Sequence, residues 1–135
     1  TIVKNTSYGI YGKTNRKMSN PIYNNPLPIA YQYNVKLGKA TILTTVDDNG
    51  IQEYEIQIIK INRQAAPGSK GLVLEITDPR LLEKTGGIVQ GMSGSPILQN
   101  GRVIGAVTHV FVNDPKKGYG MFIEWMLEET NRIIE

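Results

Sequence analysis

Short runs of alternating apolar residues, broken by Asn-Gly pairs, set the strongest limit on how this chain can fold. Lys39–Val46 (KATILTTV) runs into Asp47-Asp48-Asn49-Gly50 and then Ile51–Ile61 (IQEYEIQIIKI). In the second run Gln52, Tyr54, Ile56 and Ile58 share one parity and Ile51, Glu53, Glu55 and Gln57 the other, the pattern of a half-buried strand. Asn-Gly supplies the positive φ angles that a tight hairpin needs, so these runs are expected to pair. A second signal, Asn100-Gly101, lies between SPILQ and RVIGAVTHVFV. Gly71–Thr77 (GLVLEIT) and Tyr119–Ile123 (YGMFI) supply further strands. Closely spaced strands without intervening helices predict a small antiparallel barrel. The terminal EWMLEETNRIIE reads as a covering helix with Trp125, Met126, Ile133 and Ile134 on one face.

The organisation expected is a single domain, 1–135, with an extended wrapping segment over 1–34, a mainly β barrel over 35–123 and a C-terminal helix over 124–135. In the first segment Val3–Tyr11 reads as a short strand, and Ser19-Asn20-Pro21 and Asn24-Asn25-Pro26 as turns. Its apolar and aromatic residues (Tyr8, Ile10, Tyr11, Ile22, Tyr23) favour docking over disorder. Between strands, PRLLEKTGG forms a helical turn with Asp78 as N-cap and Pro79 in the first position.

Composition removes several function classes. The net charge is only +3 and the lysines and arginines are dispersed, without the basic face interleaved with aromatics that nucleic acid demands. No cysteine is present, and one histidine excludes any site needing two imidazoles from this chain. Asp47-Asp48-Asn49 lacks the spaced ligands of a calcium loop and reads as a hairpin turn, and Asp114 as a turn residue before Pro115. No metal or other cofactor is expected. No apolar run approaches the ~20 residues of a membrane span. The chain begins at Thr1, as a processed product or an excised piece does.

Chemistry concentrates in Gly91-Met92-Ser93-Gly94-Ser95-Pro96. Two glycines bracket Ser93, allowing a sharp turn that holds its hydroxyl at the apex. The N–H groups of Gly91 and Ser93 can then point to one side, as two donors must for a tetrahedral oxyanion. The competing reading is a glycine-rich turn in which Ser93 caps a neighbouring amide. Ser95 also carries a hydroxyl, but only Ser93 lies between the glycines.

GxSGSP followed by a hairpin and VIGAVTHV resembles the serine segment of chymotrypsin-like proteases. The stretch TDPRLLEKTGGIVQGMSGSPILQNGRVIGAVTHVFVNDPKKGYGMFIEWML, about fifty residues, resembles the sporulation stage IV protein B peptidase family of endospore-forming bacteria. The resemblance implies a chymotrypsin-like barrel and a serine endopeptidase with Ser93 as nucleophile and Asp78 as catalytic aspartate. It implies that the family's histidine belongs to a segment N-terminal to Thr1. Thr108, His109 and Val110 would line the substrate cleft as an edge for a paired peptide. The implied partners are a regulatory subunit of a membrane-embedded metalloprotease as protein substrate, self-cleavage, and an N-terminal His-bearing segment with a PDZ module. The implied location is the space between forespore and mother cell.

Alternatives remain at two residues. Asp78 is explained equally by capping its helical turn. For His109, a regular two-residue turn at Asn100-Gly101 pairs Gln99 with Arg102 and sets Ser93 opposite Thr108, turning His109 to the other face. That leaves His109 as base, cleft wall or structural residue. A serine without a base is a weak nucleophile at neutral pH, so a non-catalytic peptide-binding barrel is the competing function.

Overall fold

The structure is a computed structural model that describes residues 1–134, with side chains through Asn131. Eight strands form: β1 (Ile2–Thr6), β2 (Gly9–Gly12), β3 (Gly38–Thr45), β4 (Ile51–Ile61), β5 (Leu72–Ile76), β6 (Pro96–Gln99), β7 (Arg102–Phe111) and β8 (Asp114–Phe122). Two α-helices, α1 (Pro79–Thr85) and α2 (Ile123–Ile134), complete the fold. β3 to β8 close into an antiparallel barrel in the order β3-β4-β5-β8-β7-β6, with β6 returning to β3. The expected mainly β barrel with a helix at its end is what forms.

Alternation decides the core. Tyr54, Ile56 and Ile58 of β4 are fully buried, whereas Glu53, Glu55 and Gln57 on the other parity stay partly exposed. Ile42, Leu72, Leu74, Ile76, Ile97, Ile104, Met121 and Phe122 fill the rest of the interior. Burial of this kind stabilises by roughly 1.5–3 kcal/mol per large apolar side chain. Trp125 and Met126 of α2 pack on this core, while Ile133 and Ile134, expected on the same face, lie outside the described side chains.

The Asn100-Gly101 turn forms as its residues require, with φ of 52° and 75° and Gln99 paired to Arg102. The other Asn-Gly pair behaves differently. Thr45 pairs with Ile51, so the connection is a five-residue loop in which Asp47 Oδ1 accepts the Asn49 N–H, and only Gly50 has positive φ. α1 starts as expected, with Asp78 accepting the Arg80 N–H, and ends at Gly86 in the left-handed region.

Two expectations change. Val3–Tyr11 forms the β1–β2 hairpin rather than one strand, turning at Ser7-Tyr8. Asp114 and Pro115 open β8 instead of a loop, because the turn is Val112-Asn113. A register shift between Val110 and Phe111 takes up the proline, whose carbonyl accepts the Ile88 N–H at 2.6 Å.

Several of the first 34 residues contact the barrel, its loops or α2, while Ile10 and Ile22 stay exposed. Lys4 pairs with the buried Glu129 of α2 at 2.5 Å. Ile29 bridges Val103 in parallel. The buried Gln32 donates to the Gln64 carbonyl and accepts the Gln64 N–H, each at 2.8 Å. Gln64 Oε1 in turn accepts the Trp125 indole N–H at 2.9 Å.

Candidate active site

The Ser93 loop joins α1 to β6, and its shape follows from where it is tied down. Gly87 leaves α1 against the chain of Pro115, where an added Cβ would lie 2.2 Å from the carbonyl oxygen. Met92 is buried and its N–H and carbonyl bond Val89 and Ser95. Gly91 and Gly94 have φ of 100° and 90°, so the backbone reverses on both sides of Ser93. An inward Met92 between two such glycines turns Ser93 outward, and Ser93 is exposed while Ser95 is buried. This difference separates the two hydroxyls.

The Ser93 Oγ donates to the Thr108 carbonyl at 3.0 Å. Gly94 N–H donates to the Val107 carbonyl at 2.7 Å, and Val107 N–H to Ser95 at 2.9 Å. The N–H groups of Gly91 and Ser93 donate to no acceptor among the described residues. That is the state in which backbone donors are available to a ligand oxygen.

Regular pairing across the β6–β7 hairpin does not hold. Leu98 pairs with Val103 but Ile97 with Gly105, so Ile104 is an extra residue on β7. The register beyond it moves by one, and simple continuation sets Ser93 across from His109 rather than Thr108. A second shift, between Val107 and His109, bulges Thr108 against β8. Ser93 and His109 consequently border one cavity of about 280 Å³, shared with Thr108, Tyr8, Met121 and Met126. No hydrogen bond joins Ser93 to His109. Past Val107, β7 pairs only with β8, leaving the other edge of His109-Val110-Phe111 without a strand.

Asp78 sits elsewhere. It borders a different cavity with Tyr23, Glu53 and Arg80. Its Oδ1 accepts the Arg80 N–H at 2.9 Å and Arg80 Nε at 3.1 Å; its Oδ2 accepts the Glu55 N–H at 3.0 Å and an Arg80 terminal nitrogen at 2.9 Å. The Arg80 guanidinium, opposed by burial and aided by the two backbone N–H groups, brings its pKa down to about 2. A carboxylate has about four acceptor positions, and all are taken. The structure therefore brings Ser93, Thr108 and His109 together and holds Asp78 apart, as the cap of α1.

Sequence reasoning missed the contribution of the β1–β2 turn, since Ser7, Tyr8, Gly9 and Ile10 wall the Ser93 cavity. Gly9, at φ 134°, was the available signal for that turn. Among the described residues no cluster of His, Cys, Asp or Glu has the size to hold a metal, and no helix is long and apolar enough to cross a membrane.

The closed six-stranded antiparallel barrel has the fold of trypsin-like serine proteases. The chain belongs to the SpoIVB peptidase S55 family, whose pattern matches residues 1–127. Among solved structures it is similar to the active form of the Rv3671c protease from M. tuberculosis, with TM-score 0.54 and 20% identity over 76% of this chain and 45% of that one. It is also similar to an inactive serine-to-alanine form of Rv3671c from M. tuberculosis H37Rv, with TM-score 0.52 and 18% identity over 79% of this chain and 54% of that one. The chain thus spans about half the length of these neighbours. No curated protein matches it by sequence.

Proposed function

We propose that this chain is the serine-bearing half of a serine endopeptidase site, with Ser93 as nucleophile and the N–H groups of Gly91 and Ser93 as its oxyanion donors. The observation that carries the reading is the exposed Ser93 hydroxyl held between two positive-φ glycines, beside two uncommitted N–H groups. A substrate peptide pairs with the free edge at Thr108-His109-Val110 and presents its carbonyl to Ser93. Attack forms the bond from Oγ to the carbonyl carbon, the oxygen takes the negative charge in the donor pair, and the proton passes to a base.

That base is a histidine from a segment preceding Thr1. His109 serves as cleft wall, and Asp78 acts on the serine loop by holding the start of α1 rather than by orienting the imidazole. In the resting state the Ser93 hydroxyl donates to the Thr108 carbonyl, and it turns from that acceptor to the histidine for attack. The family supports a role in sporulation signalling: cleavage of the protein itself and of a regulatory subunit of a membrane-embedded metalloprotease, after export into the space between forespore and mother cell. A PDZ module of the same protein presents the substrate.

The same hydrogen bond favours a second reading, a peptide-binding barrel without catalysis, because Ser93 faces a carbonyl acceptor rather than a base. A fluorophosphonate probe separates the two. An adduct mapped by mass spectrometry to Ser93 in the protein carrying its upstream segment supports the peptidase; no adduct there, with peptide binding retained, supports the binding module.

A further inference from the structure

We propose that Lys70, set beside an aromatic-walled cavity next to the open edge of β7, selects substrates with an acidic side chain on the N-terminal side of the bond to be cut. This rests on the reading of Ser93 as nucleophile and of β7 as the substrate edge.

Direction follows from antiparallel pairing. β7 runs from Thr108, at Ser93, toward Phe111, so an antiparallel peptide runs from Phe111 back toward Thr108. Residues lying along His109 to Phe111 therefore precede the scissile bond. Their side chains alternate, and every second one projects over the face that carries His109 and Phe111. Tyr119 is the cross-strand partner of His109 and its ring lies 4.8 Å from that of Phe111. These three residues and Lys70 border a cavity of about 460 Å³, ample for one long side chain.

Lys70 is the cation in that cavity without an anionic partner. Its ammonium stands 5.1 Å from the Tyr119 ring centroid and makes no ion pair among the described residues. Asp114, the acidic group lining the cavity, is engaged by Lys117 at 3.7 Å and by the Lys116 N–H at 3.1 Å. The loop bearing Lys70 is fixed to the cleft. Asn62 Nδ2 donates to the Lys70 carbonyl at 3.1 Å, Asn62 N–H to the Gly71 carbonyl at 2.8 Å, and Thr108 Oγ1 to the Ser69 carbonyl at 2.6 Å. The last bond ties the loop to the residue whose carbonyl holds Ser93. A glutamate in the cavity rests its methylenes on Phe111 and Tyr119 and meets the Lys70 ammonium with its carboxylate.

The test uses the chain carrying Ser93→Ala and a series of alanine-based hexapeptides with one Glu or one Gln at successive positions, titrated by 1H–15N NMR. The expected result is that Glu at one position binds about fivefold more tightly than Gln, the scale of a partly exposed ion pair. Lys70→Met removes the difference and Lys36→Met, a remote control for net charge, leaves it. Spectra of both variants overlaying the parent away from the mutation establish that they fold. Equal binding of Glu and Gln peptides, a preference surviving Lys70→Met, or no binding by any peptide overturns the proposal. Because Ser93 is absent, this readout is separate from catalysis: a failed acid preference leaves the peptidase reading standing, and a failed Ser93 adduct overturns that reading whatever the peptides do.

Discussion

Ser93 owes its position to its neighbours more than to itself. Gly91 meets no atom within 4 Å of an added Cβ, so Gly91→Ala clashes with nothing and costs only the strain of a φ near 100°. We expect it to lower thermal stability by about 1 kcal/mol while the loop relaxes and fluorophosphonate labelling of Ser93 falls at least tenfold. A labelling rate unchanged in Gly91→Ala would show that the donor geometry does not depend on this turn. Asp78 allows a pH test. Its folded pKa, about 2, lies below its ordinary value of 3.8, so its contribution is fully present above about pH 4 and lost as pH falls through about 2. That contribution is on the order of 2 kcal/mol. Asp78→Asn is expected to melt earlier than the parent at pH 7, with the gap closing between about pH 4 and pH 2; a gap constant across that range would contradict the assigned hydrogen bonds. What the motif revealed was the serine and its glycines, because strained turns need particular residues. It did not reveal where the Ser93 proton rests, since the Thr108 carbonyl arrives from a strand fifteen residues on.

At the scale of elements, local chemistry was legible and pairing irregularity was not. Asn100-Gly101 could be assigned because both residues must take positive φ, and the α1 cap because Asp-Pro specifies it. The bulges at Ile104 and Thr108 leave no comparable mark. Bulges of this kind accompany strand twist, and the one at Ile104 sets His109 rather than Thr108 across from Ser93 on simple continuation, while the one at Thr108 shifts the pairing with β8. The wrapping segment is also held by partners distant in sequence. Gln32→Ala strips Gln64 of partners for both its N–H and its carbonyl. It is expected to cost about 2 kcal/mol, a fall of several degrees in the melting temperature seen by calorimetry. An unchanged melt would mean that residues 1–34 dock without this contact.

Across the whole molecule, the barrel followed from alternation, since a one-residue slip would turn Tyr54, Ile56 and Ile58 to solvent. The β1–β2 hairpin was less visible. Its place is set by Lys4 reaching Glu129, a contact across the length of the chain, and by Tyr8 lying at the Ser93 cavity. In the proposed reading the barrel supplies nucleophile, donors and substrate edge, and a preceding segment supplies the base. The direct test is the rate at which a fluorophosphonate modifies Ser93 in the chain of residues 1–135 and in the same protein extended N-terminally. We predict modification of the extended protein at least a hundredfold faster, abolished by Ser93→Ala and by replacing the upstream histidine with glutamine. Equal rates in the two forms, or modification that survives either substitution, would contradict the claim that this chain holds half of a shared active site.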